Sequence, residues 1–153
     1  MLISRNFRLG RLRMLNFLDE LDVSKGKAIS LYLPHCTPQD KAENLLKQVF
    51  ATTAIPTDVV EVMAGSERGG AFFWSPTQMY LVLPPFPISE EYITNGYDVE
   101  PLRSLLSHDF LIALVLVRLG AYSIGICQGT KLLDSKTGTG LVHARHKKGG
   151  SSQ

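Results

Sequence analysis

Cysteine is scarce in this sequence: Cys36 and Cys127 are the only two in 153 residues, far apart and in no metal-ligand spacing. That argues against a disulfide framework and reads as two reduced thiols in a cytoplasmic protein. Long apolar runs are missing as well. The longest, Phe110 to Val117, is too short to span a bilayer and suits a buried strand, so no membrane partner is expected. The start does not read as a secretory signal, because arginines interrupt what would be its apolar core. The four histidines are scattered apart from His143 and His146, and no carboxylate near that pair completes a metal site. No metal is expected. Acid is absent from both ends: Arg5, Arg8, Arg11 and Arg13 precede any Asp or Glu, and the last dozen residues carry only basic charge.

What is present is the profile of a soluble globular protein, 44% hydrophobic and 20% charged, long enough for one ordinary domain or two small ones. The net charge of +2 is small, but its placement at the ends fits contact with nucleic acid or an acidic surface. For the N-terminal arginines, a solvated helix face is the equal alternative.

The periodicity predicts a helix over 9–23, where Leu9, Leu12, Leu15, Leu18 and Leu21 recur three apart and Met14 and Phe17 widen the stripe. A strand follows over 28–33, closed by Pro34. Thr37 is expected to cap a helix with Pro38 in its first position and Ala42, Leu45, Leu46, Val49 and Phe50 on its buried face. Residues 51–55 break that helix, and Pro56 opens a shorter one ending near Gly65. Residues 71–74 and 79–83 flank a Ser75-Pro76-Thr77 turn and predict a hairpin, with Phe72, Phe73 and Trp74 as core. Pro84 to Pro87 is stiff and extended, an edge or a linker. Glu100-Pro101 opens a helix through Leu106.

From Phe110 three β patterns follow, over 110–117, 121–127 and 130–135, with turns at Leu119-Gly120 and Gln128-Gly129. Thr137 to Gly140 is expected to loosen the backbone. The fold class is α/β in two units, residues 1–96 and 97–153, with a mobile basic loop at 137–153. The second unit reads as unfinished, since three strands and a loop cannot cover both faces of a sheet that begins with so apolar a strand.

The chain then reaches Val142 to Gln153, which holds Arg145, Lys147 and Lys148, the histidines His143 and His146, and the pair Gly149-Gly150. Two readings are open from these residues alone. One is a flexible cationic loop suited to lying along phosphates; the other is an inert Gly/Ser-rich end.

The order of these pieces resembles the archaeal and eukaryotic class-one peptide-chain release factors and their Pelota-like relatives, along most of the chain. Ala28-Ile29-Ser30-Leu31-Tyr32-Leu33-Pro34 is similar to their first strand, and Pro84-Pro85-Phe86-Pro87-Ile88 to the segment leaving their N-terminal domain. Glu100 to Leu106 resembles the helix before their middle domain, and the strands from Phe110 to Gly129 resemble that domain's opening. His146-Lys147-Lys148-Gly149-Gly150 is similar to the lead-in to the family's Gly-Gly-Gln catalytic loop. The resemblance implies an N-terminal mixed α/β domain followed by the opening β-meander of a truncated, RNase H-like middle domain.

Two departures refine it. Ser151 and Ser152 stand between the glycine pair and Gln153, a spacing that resembles the VLRF-type (Vms-like release factor) branch. Where codon-reading members carry an Asn-Ile-Lys-Ser element, this chain has Ala51-Thr52-Thr53-Ala54-Ile55-Pro56-Thr57-Asp58. The resemblance therefore implies a codon-independent peptidyl-tRNA hydrolase of ribosome rescue and quality control. Its partners would be the ribosome (A site and peptidyl transferase centre), rRNA and peptidyl-tRNA, and the protein a cytoplasmic monomer. Gln153, Gly149 and Gly150 are the implied catalytic residues; His143, Arg145, His146, Lys147 and Lys148 the implied RNA contacts. No cofactor is implied. Two alternatives share these residues: a non-catalytic Pelota-like ribosome-binding rescue factor, and a stop-codon-reading release factor.

Overall fold

Ile29–Leu33 (β1) holds the centre of the first unit because every one of its residues after Ile29 is buried. It pairs antiparallel on one side with Gly70–Trp74 (β2) and on the other with Tyr92–Asn95 (β4). Met79–Val82 (β3) extends the sheet beyond β2, giving the order β3-β2-β1-β4. The computed structural model describes residues 5–22, 26–50 and 55–140. These fall into two compact units, dividing between Ser107 and His108.

The pleat sends neighbouring β1 and β2 side chains to opposite faces, and both faces are apolar. Tyr32, Ala71 and Phe73 point to a layer made by Arg11–Asp22 (α1) and Glu100–Ser107 (α4), which contribute Leu18, Leu21, Leu102 and Leu106. Leu31, Leu33 and Phe72 point the other way, to Gln39–Val49 (α2) and Thr57–Ala64 (α3), which contribute Ala42, Leu46 and Met63. Phe50, just past α2, sets its ring edge-on to Phe72 at 5.2 Å between centroids and lies 5.8 Å from Trp74. Phe72 and Phe73 are fully buried on opposite faces, and each contributes about 1.5–3 kcal/mol of transfer free energy. The expectation that these aromatics are core holds.

Among the described residues, one polar side chain sits in this core. Ser30 is fully buried, donates to the Gly96 carbonyl at 2.8 Å and accepts the Asp98 backbone N–H at 2.9 Å. Tyr32 Oη donates to the Asp98 carbonyl at 2.7 Å. Together they pin the turn that leads from β4 to α4, where Gly96 takes φ +93. Helix α4 is tied to α1 by Arg103, which pairs with Asp19, reaches Asp22 at 3.7 Å and bonds Glu100 at 2.9 Å. Arg11 Nη2 also donates to the Ser107 carbonyl at 3.1 Å.

The structure differs from the sequence expectations at several points. Residues 97–107 pack with the first unit: Val99, Leu102 and Leu106 complete its core, whereas a second unit was expected to open at residue 97. β4 was not foreseen, because its tetrapeptide Tyr-Ile-Thr-Asn is mostly exposed at a sheet edge and lacks a buried alternation. Helix α2 starts after Pro38; Thr37 donates instead to the Pro34 carbonyl at 2.7 Å and caps no helix N–H.

The second unit is an antiparallel sheet of Leu111–Arg118 (β5), Ala121–Gln128 (β6) and Lys131–Thr139 (β7), in the order β5-β6-β7. A fully buried first strand was expected. Every residue of β5 is exposed, Leu116 at 71% and Val117 at 76%; the described part of the second unit consists of these three strands and has no helix of its own to cover them. Thr137, Gly138 and Thr139 were expected to begin a mobile loop; they are paired residues of β7, opposite Ser123, Tyr122 and Ala121. Among the described residues the architecture is thus mixed α/β, with four helices and two antiparallel sheets. No described helix is long and apolar enough to cross a membrane.

Candidate functional site

His143, Arg145, His146, Lys147, Lys148, Gly149, Gly150 and Gln153, the residues the sequence singles out, lie outside the described residues. What the structure describes is the support that delivers the chain to them. β7 runs the full length of β6, and Gly140 beyond it donates its backbone N–H to the Gly120 carbonyl at 3.0 Å. Gly120 takes φ +77, so the β5–β6 turn and the end of β7 are fastened at the same edge. The candidate loop therefore leaves from a fixed root.

Gly138 is part of that root. It stands directly opposite Tyr122, whose ring lies where a side chain on residue 138 would project. An aromatic ring covering a cross-strand glycine keeps such a strand paired, which is why Thr-Gly-Thr does not loosen here. Counting back from the Gln128-Gly129 turn, where Gln128 pairs with Lys131, would put Tyr122 opposite Thr137. A bulge between Ile126 and Cys127 shifts the count by one residue and brings Gly138 there instead, so simple alternation misses the pair.

At the opposite edge, Gly129 (φ +57) closes the β6–β7 turn, and a Cβ there would come within 2.8 Å of the Asp109 carboxylate. Cys127 is half-buried in β6, and Cys36 is exposed with φ 60 in the first unit. Neither belongs to a metal constellation: among the described residues no three His, Cys, Asp or Glu are placed to hold an ion.

The first unit contributes two further features. A groove of about 500 Å³ is lined by Tyr32, Tyr92, Asp98, Glu100, Pro101 and Leu105, among others. Its carboxylate at Asp98 is already engaged by Tyr92 Oη at 2.8 Å and the Glu100 N–H at 3.1 Å. Burial, reinforced by Asp98, pushes the Tyr32 hydroxyl pKa well above the usual phenol range. The second feature is the arginine-bearing start, where Arg5, Arg8 and Arg13 are exposed. In the stretch that stands where codon-reading factors have Asn-Ile-Lys-Ser, residues 51–54 lie outside the described set, while Thr57 and Asp58 form the first turn of α3.

No curated protein matches this chain. Residues 111–153, from the start of β5 to Gln153, match the family model of the Actinobacteria/chloroflexi VLRF1 release factor, acVLRF1. Among solved structures the fold is similar to the archaeal translation termination factor aRF1, with a TM-score of 0.53 and 18% identity over 83% of this chain and 44% of that one. A second solved structure, an archaeal protein, is also 18% identical, with a TM-score of 0.49 over 85% of this chain and 46% of its own. The chain spans less than half the length of either. Over residues 111–153 the chain is thus similar to the acVLRF1 release factor family, and its mixed α/β fold is similar to part of aRF1.

Proposed function

We propose that this chain is part of a codon-independent peptide release factor that hydrolyses peptidyl-tRNA on stalled ribosomes or large subunits. The observation that carries the reading is the acVLRF1 match over 111–153, because it takes in the β5–β7 sheet and the basic Gly-Gly-Ser-Ser-Gln segment together. The fold likeness to part of aRF1 supports it independently of sequence. On this reading residues 1–107 are an N-terminal domain, and the sheet after it opens an RNase H-like catalytic domain.

The reaction is attack of water on the ester that joins peptide to the tRNA ribose. The carbonyl carbon gains the water oxygen, the ester C–O bond breaks, and the ribose oxygen leaves with a proton. A glutamine suits this role because its amide offers a donor and an acceptor to place water without ionising. Its backbone N–H can stabilise the developing oxyanion. Gly149 and Gly150 allow a tight approach in an RNA-lined centre, and Arg145, Lys147 and Lys148, with His143 and His146, hold the loop among phosphates. Ser151 and Ser152 act as spacers. The rest of the catalytic environment is ribosomal, so the protein needs no cofactor of its own.

The test is Gln153→Ala in the intact protein, assayed by cleavage of peptidyl-tRNA on stalled ribosome–nascent-chain complexes. Loss of a positioning group of this kind lowers the rate about 10²- to 10³-fold. Release at the wild-type rate would overturn the assignment, and wild-type protein that binds ribosomes but never cleaves the ester would favour a Pelota-like binding factor.

A further inference from the structure

We infer that the start of the chain is a second RNA-contacting surface, separate from the basic loop: Arg5, Arg8 and Arg13 for phosphates, with Phe7 as a base-stacking side chain. The inference uses the release-factor reading only to choose RNA as the polyanion.

Residues 5–10 are in neither helix nor strand and are exposed throughout, and they run directly into α1. Arg5, Arg8 and Arg13 are exposed, and none of them has an acidic partner among the described residues. Phe7 is 74% exposed, an unusual placement for a phenylalanine beside a well-packed core. The acids of α1 are confined to its far end, where Asp19 and Asp22 are engaged by Arg103. Charge along this helix is therefore sorted, with Arg13 near its positive dipole end and the acids in its last turn. Such a concentration of arginines has a cost in self-repulsion and no packing benefit in the isolated chain, and a polyanion removes the cost.

The surface is suited to RNA better than to a lipid surface. The apolar stripe of α1 is spent on the core: Leu18 and Leu21 are buried, and Met14, Leu15 and Phe17 pack against the same cluster. Only Phe7, Leu9 and Leu12 remain outside, too few for an interfacial helix, which needs a continuous apolar face. Guanidinium groups fork onto phosphate oxygens, and a lone exposed ring among them stacks on a base regardless of sequence.

The test compares the wild-type chain with an R5Q/R8Q/R13Q variant and with Phe7→Ala, binding a fluorescein-labelled RNA hairpin over a salt series. Unchanged Trp74 emission checks that the first unit stays folded. Each phosphate contact contributes about 0.7–0.9 to the slope of log K against log salt, so the triple variant should lose about 2 from that slope. Its deficit should be about 16-fold larger at about 50 mM than at about 200 mM salt. Phe7→Ala should weaken binding at least about fivefold with the slope unchanged. Unchanged slope and affinity in the triple variant would overturn the inference. So would an arginine-dependent loss seen only on phosphatidylserine vesicles, which would assign the surface to membranes. Arginine-dependent hairpin binding without ester cleavage by the intact protein would keep this surface and remove the hydrolase reading. Cleavage with arginine-independent binding would do the reverse.

Discussion

Ser30→Ala removes one oxygen from the centre of the first sheet and strands two backbone groups at once. The Asp98 N–H loses its acceptor at 2.9 Å and the Gly96 carbonyl loses its donor at 2.8 Å. A lost hydrogen bond costs about 1 kcal/mol net, and a buried group left unpaired costs about 1–3 kcal/mol. Gly96 and Asp98 are half-buried, so water can reach them in part, and the lower end of that range applies to each. The sum is about 2 kcal/mol. For a unit of this size that lowers the thermal midpoint by roughly 10 °C. The effect should be read from Trp74, the single tryptophan of the chain, which packs on Phe50 and so reports the first unit alone. Thermal melts followed by its emission would give the shift directly, and a urea series would show whether m stays constant. A fall of less than about 2 °C would refute the reasoning, because it would mean that solvent replaces both bonds at no cost.

Tyr32→Phe tests the same turn from the other side. The folded Tyr32 pKa lies above its ordinary value through burial, so its contribution is fully present below about pH 10 and is lost as pH rises toward the folded value. The wild-type protein should lose stability above about pH 10 at up to about 1.4 kcal/mol per pH unit. The variant should lack that component in denaturant titrations from pH 8 to 11, and an identical alkaline slope in both would exclude Tyr32 as its source. Gly138→Ala forces the Tyr122 ring from its place over β7 and should cost about 1 kcal/mol at the loop root. Hydrogen exchange of the Gly140 amide, bonded to the Gly120 carbonyl, should accelerate about fivefold, and an unchanged rate would count against the ring's role.

Legibility in the sequence followed burial. Strands and helices whose apolar spacing feeds the first core were readable: α1 from its leucine stripe, and β1 and β2 from runs that are buried on both faces. β4 was not, since a polar edge strand owes its pairing to β1 rather than to its own pattern. The placement of α4 was misjudged for a related reason. Its amphipathic face shows that it packs, but only Ser30, Tyr32 and Asp19, distant in sequence, show what it packs on. In the second unit the strands were legible and their burial was not. An all-apolar strand signals two covered faces, yet coverage depends on partners that the strand itself does not encode. The candidate loop was legible only as residue types at a spacing. The rigidity of its root came from Tyr122 meeting Gly138 across a bulged pair of strands.

The exposure of β5 also bears on how the chain behaves in solution. Leu-Ile-Ala-Leu-Val-Leu-Val carries no charge, proline or glycine, lies at the sheet edge with no strand paired to its outer side among the described residues, and presents apolar side chains on both faces. Those are the attributes of a segment that templates strand addition between molecules. Colloidal stability of this chain is therefore set less by the well-packed first unit than by one eight-residue edge. A single lysine at Val115 should raise the concentration at which it stays in solution while leaving the melting of the first unit where it was.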